Sequence, residues 1–168
     1  MRNKIKTKDE LRDILEGLKR RGKKIVFTNG CFDILHVGHV RCLEEASKLA
    51  DTLVVALNSD RSVQTIKGPP KPFTPEAARA EVLSALACVD YVVIFDEPDP
   101  LELITFLKPN VLVKGGDWTS ETTIGREVVE KAGGKVVECA FVVNLPDLMG
   151  REKLKDYKVF ALVEFEGE

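Results

Sequence analysis

The chain has two histidines among its 168 residues, and they stand three apart across Val37 and Gly38 in the stretch FDILHVGH (32–39). Imidazoles hydrogen-bond phosphate oxygens and add positive charge when protonated. Paired histidines can also bind a metal, but the sequence offers no third histidine and no CxxC pair to complete the ligand set. The plain alternative is two surface histidines, or one that caps a helix. Apolar residues at Val40, Leu43, Ala46 and Leu49 follow with helical spacing and predict a helix over 38–50. The pair therefore sits at a helix N-terminus, where N–H groups and the positive dipole end attract phosphate. Gly38 carries no side chain, so an anion can approach the backbone there.

Five β-branched apolar runs alternate with helical segments and supply the frame: KKIVFTNG (23–30), TLVVALNSD (52–60), DYVVIFDE (90–97), NVLVKGGD (110–117) and KVVECAFVV (135–143). Helices are expected over 76–88, 99–108 and 123–134, the first with Thr74 as its cap and Pro75 near its first turn. Residues 67–76, KGPPKPFTPE, read as a proline-rich loop. Continuous apolar strands joined by helices predict an α/β fold. The expectation is a Rossmann-like, open, doubly wound parallel sheet of five strands with helices on both faces. Ligands bind such sheets at the carboxyl ends of the strands, where strand order reverses. The polar ends TNGCFD, LNSD and KGGDW would share that edge.

Composition narrows the function. The hydrophobic share is 44%, the charged share 31%, and the formal net charge is −2, which argues against a chain whose main task is gripping nucleic acid. The apolar runs are too short to cross a bilayer, and the charged first segment lacks a signal-peptide apolar region. Cys31, Cys42, Cys88 and Cys139 are scattered. Reduced thiols in a cytoplasmic protein are the expectation. Residues 1–22 are read as an N-terminal helical extension, 23–143 as the main domain and 144–168 as an atypical tail. The apolar run YKVFALVEF in that tail reads as a strand or a partner-binding segment.

The stretch TNGCFDILHVGH resembles the signature of the HxGH nucleotidyltransferases, the cytidylyltransferase-like superfamily. LNSDRSV, KGPPKPF, RAEVLSALACVDYVVIFDE, PLELI and KPNVLVKGGDW add a resemblance, from about residue 23 to about residue 140, to the adenylyltransferases that act on a heptose 1-phosphate. The resemblance implies direct attack of a sugar 1-phosphate on the α-phosphorus of ATP, with Mg2+, loss of pyrophosphate and no covalent enzyme intermediate. A cytidylyltransferase acting on glycerol 3-phosphate or a similar small ester is the rival, and a nucleotide-binding module without turnover is a third reading. His36, His39 and Lys67 would be catalytic, with Lys67 a mobile lysine of the proline-rich loop and Lys71 a second candidate. Asn29, Gly30, Cys31, Phe32, Gly38, Gly116, Asp117 and Trp118 would line the nucleotide, Cys31 as a packing residue. Asp33, Asn58, Asp60 and Arg79 would face the substrates. Plainer roles suit each: a turn cap for Asp33, turn bonding for Asn58 and Asp60, a surface helix position for Arg79, a core position for Trp118. No metal site of the protein's own, no nucleic-acid or membrane partner, and a homodimer are implied. One feature departs from the pattern. The superfamily usually follows the last strand with a Ser-Thr-Thr-type motif that binds triphosphate, yet the last Ser or Thr here is Thr123. Arg151, near Gly150, is a candidate replacement.

Overall fold

The computed structural model describes residues 2–115, 124–141 and 158–161. A 3-10 turn (Arg2–Lys4) leads into β1 (Ile5–Lys6) and α1 (Lys8–Arg20). There follow β2 (Ile25–Gly30), α2 (Val37–Ser47), β3 (Thr52–Asn58), α3 (Asp60–Lys67), α4 (Glu76–Ala85) and β4 (Tyr91–Phe95). The chain continues through α5 (Leu101–Leu107), β5 (Val111–Gly115), α6 (Arg126–Lys131), β6 (Lys135–Phe141) and β7 (Lys158–Ala161). The strands form one parallel sheet in the order β1-β4-β3-β2-β5-β6-β7. The five strands expected from sequence are β2 to β6, and a short strand extends the sheet at each edge.

Chain order runs outward from β2 through β3 and β4, then restarts on the other side of β2 with β5. The switch point therefore lies between β2 and β5, and the ends of β3, β2 and β5 stand side by side. Alternation along β2 sorts the core into two faces. Ile25 and Phe27 pack with Leu11 and Leu15 of α1, Leu103, Ile104 and Leu107 of α5, and Val129 of α6. Val26 packs on the opposite face with Leu43 and Ala46 of α2 and Ala80 and Leu83 of α4. Every residue of β3 is buried, as a strand covered on both faces requires.

The amino-terminal edge of the sheet repeats one device. Asp51, Asp90 and Asn110 each stand just before a strand. Their side chains accept the N–H of Lys24 (2.9 Å), Leu53 (2.8 Å) and Ile25 (2.9 Å) respectively. Each of these three residues also donates its own N–H to the carbonyl of the same partner. A donor on the neighbouring strand that lies beyond the ladder is thereby satisfied.

Three expectations are corrected. Residues 1–22 are more than a helical extension: β1 pairs with β4, and Leu11 and Leu15 are fully buried. Thr7 and Glu10 start α1 with a reciprocal capping box. Residues 60–67 are helical, so Lys67 closes α3 instead of lying in the proline-rich loop. Ser59 caps that helix, and Gly68 (φ 71°) ends it in a conformation that favours glycine. Thr74 does not cap α4, whose N-cap residue is Pro75 with no side-chain hydrogen bond. The tail run contributes β7, parallel to β6.

Candidate active site

The site grows from the end of β2. Phe32 has φ 43°, a conformation uncommon for a bulky side chain. Its ring folds back over Gly30, where a Cβ would lie 3.0 Å from the ring, and meets His39 edge-on with centroids 5.3 Å apart. A side chain at position 30 would crowd that ring and force it to shift slightly. The aromatic contact of Phe32 with His39 could not be read from the sequence, because it requires the turn to double back.

His36 is the N-cap of α2, and its Nδ1 accepts the Gly38 N–H at 3.1 Å. The capping role and a phosphate-binding role are compatible. Acceptance at Nδ1 puts the ring proton of the neutral tautomer on Nε2, leaving Nε2–H as a donor. The two imidazole centroids are 4.0 Å apart. His39 Nδ1 is buried without a hydrogen-bond partner. Burial, then the neighbouring His36 and the Lys67 ammonium, push His39 down to about 4. His39 is therefore a neutral imidazole at physiological pH, a polar donor or acceptor and not a fixed positive charge.

Arg79, 2% exposed, holds the frame around this pair. Its guanidinium donates to the carbonyls of Thr74 (2.8 Å), Asn58 (2.9 Å) and Cys31, and to Asp60 Oδ1 at 2.6 Å. One buried fork thus ties the end of β2, the end of β3 and the entry to α4. The surface position considered for Arg79 is excluded. Asn58 donates from Nδ2 to Ser62 Oγ at 2.9 Å, and Ser62 Oγ donates to the Glu97 carbonyl at 2.7 Å. Asp60 donates its N–H to Glu76 at 2.7 Å. Local bonding, not an open rim, is what the structure gives Asn58. Ser62 and Glu76 escaped the sequence reading, although the Ser59-Asp60 pair carried the helix-start signal that would have found α3.

Asp33 reaches across the site to the proline-rich segment. Its Oδ1 accepts the N–H of Phe73 (2.8 Å) and of Thr74 (2.9 Å), and Lys71 Nζ lies 3.7 Å from Oδ2. The turn-cap role is replaced by a link spanning some forty residues. Burial pushes the Cys31 thiol up, a tendency that the charges of Lys67 and Arg79 oppose and that of Asp33 reinforces. A thiol so protonated is a packing group and not a nucleophile. Gly116, Asp117, Trp118 and Arg151 lie outside the described residues. Among the described residues no cluster of three or more His, Cys, Asp or Glu could hold a metal ion.

Taken together, the switch point carries two imidazoles in mutually tilted contact at a helix foot, framed by a buried arginine, with lysines on the adjoining segment. The sequence profile of the cytidylyltransferase-like family matches residues 27–157. "Bifunctional protein HldE" of Syntrophotalea carbinolica is 57% identical over 134 residues, which cover 80% of this chain and 27% of that protein. The protein of the same name from Geobacter metallireducens is 59% identical over 139 residues, 83% of this chain and 28% of that protein. The chain thus spans a little over a quarter of the length of these relatives. A solved structure, the lipopolysaccharide core biosynthesis protein from Thermoplasma volcanium, superposes with a TM-score of 0.58. It is 24% identical, covers 88% of this chain and 99% of its own, and supports the fold alone. The chain belongs to the cytidylyltransferase-like family of nucleotidyltransferases.

Proposed function

We propose that the protein transfers the adenylyl group of ATP to a heptose 1-phosphate, giving ADP-heptose and pyrophosphate for the lipopolysaccharide inner core. The observation that carries this reading is the His36–His39 pair at the foot of α2, beside the switch point. Its substrate assignment leans on the likeness to the HldE proteins.

In the proposed step an oxygen of the sugar phosphate forms a bond to the α-phosphorus of ATP. The bond from that phosphorus to the bridging oxygen breaks, and MgPPi leaves. His36 Nε2–H and the neutral His39 ring hydrogen-bond phosphoryl oxygens as charge redistributes, and Lys67 supplies positive charge from the end of α3. Asn29 to Phe32 line the nucleotide with backbone groups, and Gly38, lacking a side chain, lets the triphosphate approach the foot of α2. Asp60 lies at the acceptor side. Mg2+ screens the triphosphate. The proposed setting is the cytoplasm, with a homodimer as the working form; no helix among the described residues is long and apolar enough to cross a membrane.

A pyrophosphate-release screen of the four nucleoside triphosphates against sugar and alcohol phosphates tests the assignment. Turnover with ATP and a heptose 1-phosphate is expected, and product from CTP and glycerol 3-phosphate alone would replace it with the cytidylyltransferase reading. His39→Ala and His36→Asn should each lower kcat by about a hundredfold or more. Asn can keep the α2 cap, so His36→Asn removes the imidazole without removing the helix start. The lack of Ser or Thr beyond Thr123 favours a second reading, a binding module with weak turnover. Wild-type rates no higher than those of the histidine variants would establish it.

A further inference from the structure

Besides the Arg79 fork, which holds the Thr74 and Cys31 carbonyls, the Asp33 carboxylate joins the segment between α3 and α4 to the β2–α2 turn. Asp33 Oδ1 accepts two backbone N–H groups, those of Phe73 and Thr74, at 2.8 and 2.9 Å. Oδ2 is fully enclosed and has no hydrogen-bond partner, with Lys71 Nζ 3.7 Å away. That ammonium also lies 3.4 Å from the centroid of the Phe73 ring. With Oδ1 occupied and Oδ2 enclosed, the carboxylate is turned to the protein rather than to a diffusing substrate. Burial works to raise the Asp33 carboxyl, yet the two N–H groups and the charges of Lys71 and Arg79 hold it below the usual carboxylate range. The segment it grips begins one residue after Lys67, whose ammonium already acts on His39 and Cys31.

An acid beside a phosphate site is electrostatically unfavourable unless it does something else. We propose that Asp33 is a positioning residue: its carboxylate clamps residues 68–74 onto the β2–α2 turn, and so holds the Lys71 ammonium at that turn and sets the Lys67 ammonium to act on the imidazoles. This rests on the phosphate-binding reading of the site. The clamp makes a prediction opposite in sign to simple charge. Removing a negative charge should tighten anion binding, whereas releasing the clamp should loosen it.

Binding of inorganic tripolyphosphate, measured by calorimetry, reads this without turnover, and amide hydrogen exchange reads the clamp itself. In Asp33→Ala the Phe73 and Thr74 amides should exchange about tenfold faster, the loss of a charge-assisted hydrogen bond at each, while β2 and α4 keep their protection. Tripolyphosphate affinity should fall by about the same factor. Asp33→Asn keeps an acceptor oxygen but loses the charge, and should hold amide protection near the wild-type value with an affinity at or above it. Lys67→Gln and Lys71→Gln test the other end of the clamp whether or not Asp33→Ala folds well, and each should weaken binding. Tighter binding by Asp33→Ala, unchanged exchange at Phe73 and Thr74, equal losses in Asp33→Ala and Asp33→Asn, or unchanged affinity in both lysine variants would each overturn the proposal. If no substrate pair releases pyrophosphate while the exchange and affinity pattern holds, the transferase reading falls and the clamp stands.

Discussion

At the scale of single residues, the two histidines divide their work by environment. His36 is exposed and fixed by its bond to the Gly38 N–H, whereas His39 is half-buried, packed between Phe32 and His36. Folding lowers the His39 pKa from about 6.5 to about 4, so the folded state favours the neutral ring. The unfolded chain then binds more protons between those two values. The stabilising contribution is full above pH 6.5 and is lost as pH falls towards 4. Carboxylates held low in the fold, such as Asp33 and Asp51, also lose their contribution in acid. The test is therefore a difference: thermal midpoints of wild type and His39→Gln measured from pH 7.5 to 4.5. The gap between the two proteins should change in favour of His39→Gln as the pH drops, and a gap independent of pH would mean that His39 titrates as it does in the unfolded chain.

At the scale of elements, the sheet edge opposite the site explains how short strands keep their register. Asn110 and Asp90 each exchange two hydrogen bonds with a residue of a neighbouring strand: the side chain accepts that residue's N–H, and the backbone N–H donates to its carbonyl. Asn110→Ala leaves the N–H of the wholly buried Ile25 without that acceptor, and Asp90→Ala does the same to Leu53. Each should lower stability by about 1–2 kcal/mol in urea unfolding, with Asn110→Asp close to wild type because it keeps the acceptor. Asp51→Ala, at an exposed position, should cost less. The strands that these residues bracket were legible because buried parallel strands are written as unbroken apolar runs. Helix α3 was not, because DRSVQTIK buries one apolar residue, Val63, and offers no stripe; only its Ser59 start and Gly68 stop carried a signal. Strand β1 has two residues, too few for any period. Within the site, the histidine pair was legible because it is local. The roles of Arg79 and Asp33 were not, since each joins segments 40 or more residues apart, to Cys31 in one case and to Phe73 and Thr74 in the other.

At the scale of the whole molecule, one sheet couples two packed faces, and the first helix belongs to that unit. Leu11 and Leu15 are buried against α5 and against residues of β2, β3 and β4 that lie on the same face. Lys19 anchors the far end of α1 by donating to the carbonyls of Leu107 and Lys108, both at 2.7 Å, at the C-terminus of α5. The same strands present Val26, Val55 and Val92 to α2 and α4, the layer that carries the histidines and Arg79. Loss of packing under α1 should therefore be transmitted through the sheet to the site. Leu11→Ala opens a cavity in a fully enclosed position and should lower global stability by about 3 kcal/mol. If the molecule unfolds as one unit, urea transitions followed by circular dichroism and by hydrogen exchange at the β2 amides should shift by the same amount. A Leu11→Ala variant whose β2 amides keep wild-type protection would instead make α1 an appended helix that frays separately. Because Phe27 of β2 touches the same cluster as Leu11 and lies three residues before Gly30, the coupled outcome is the one the packing requires.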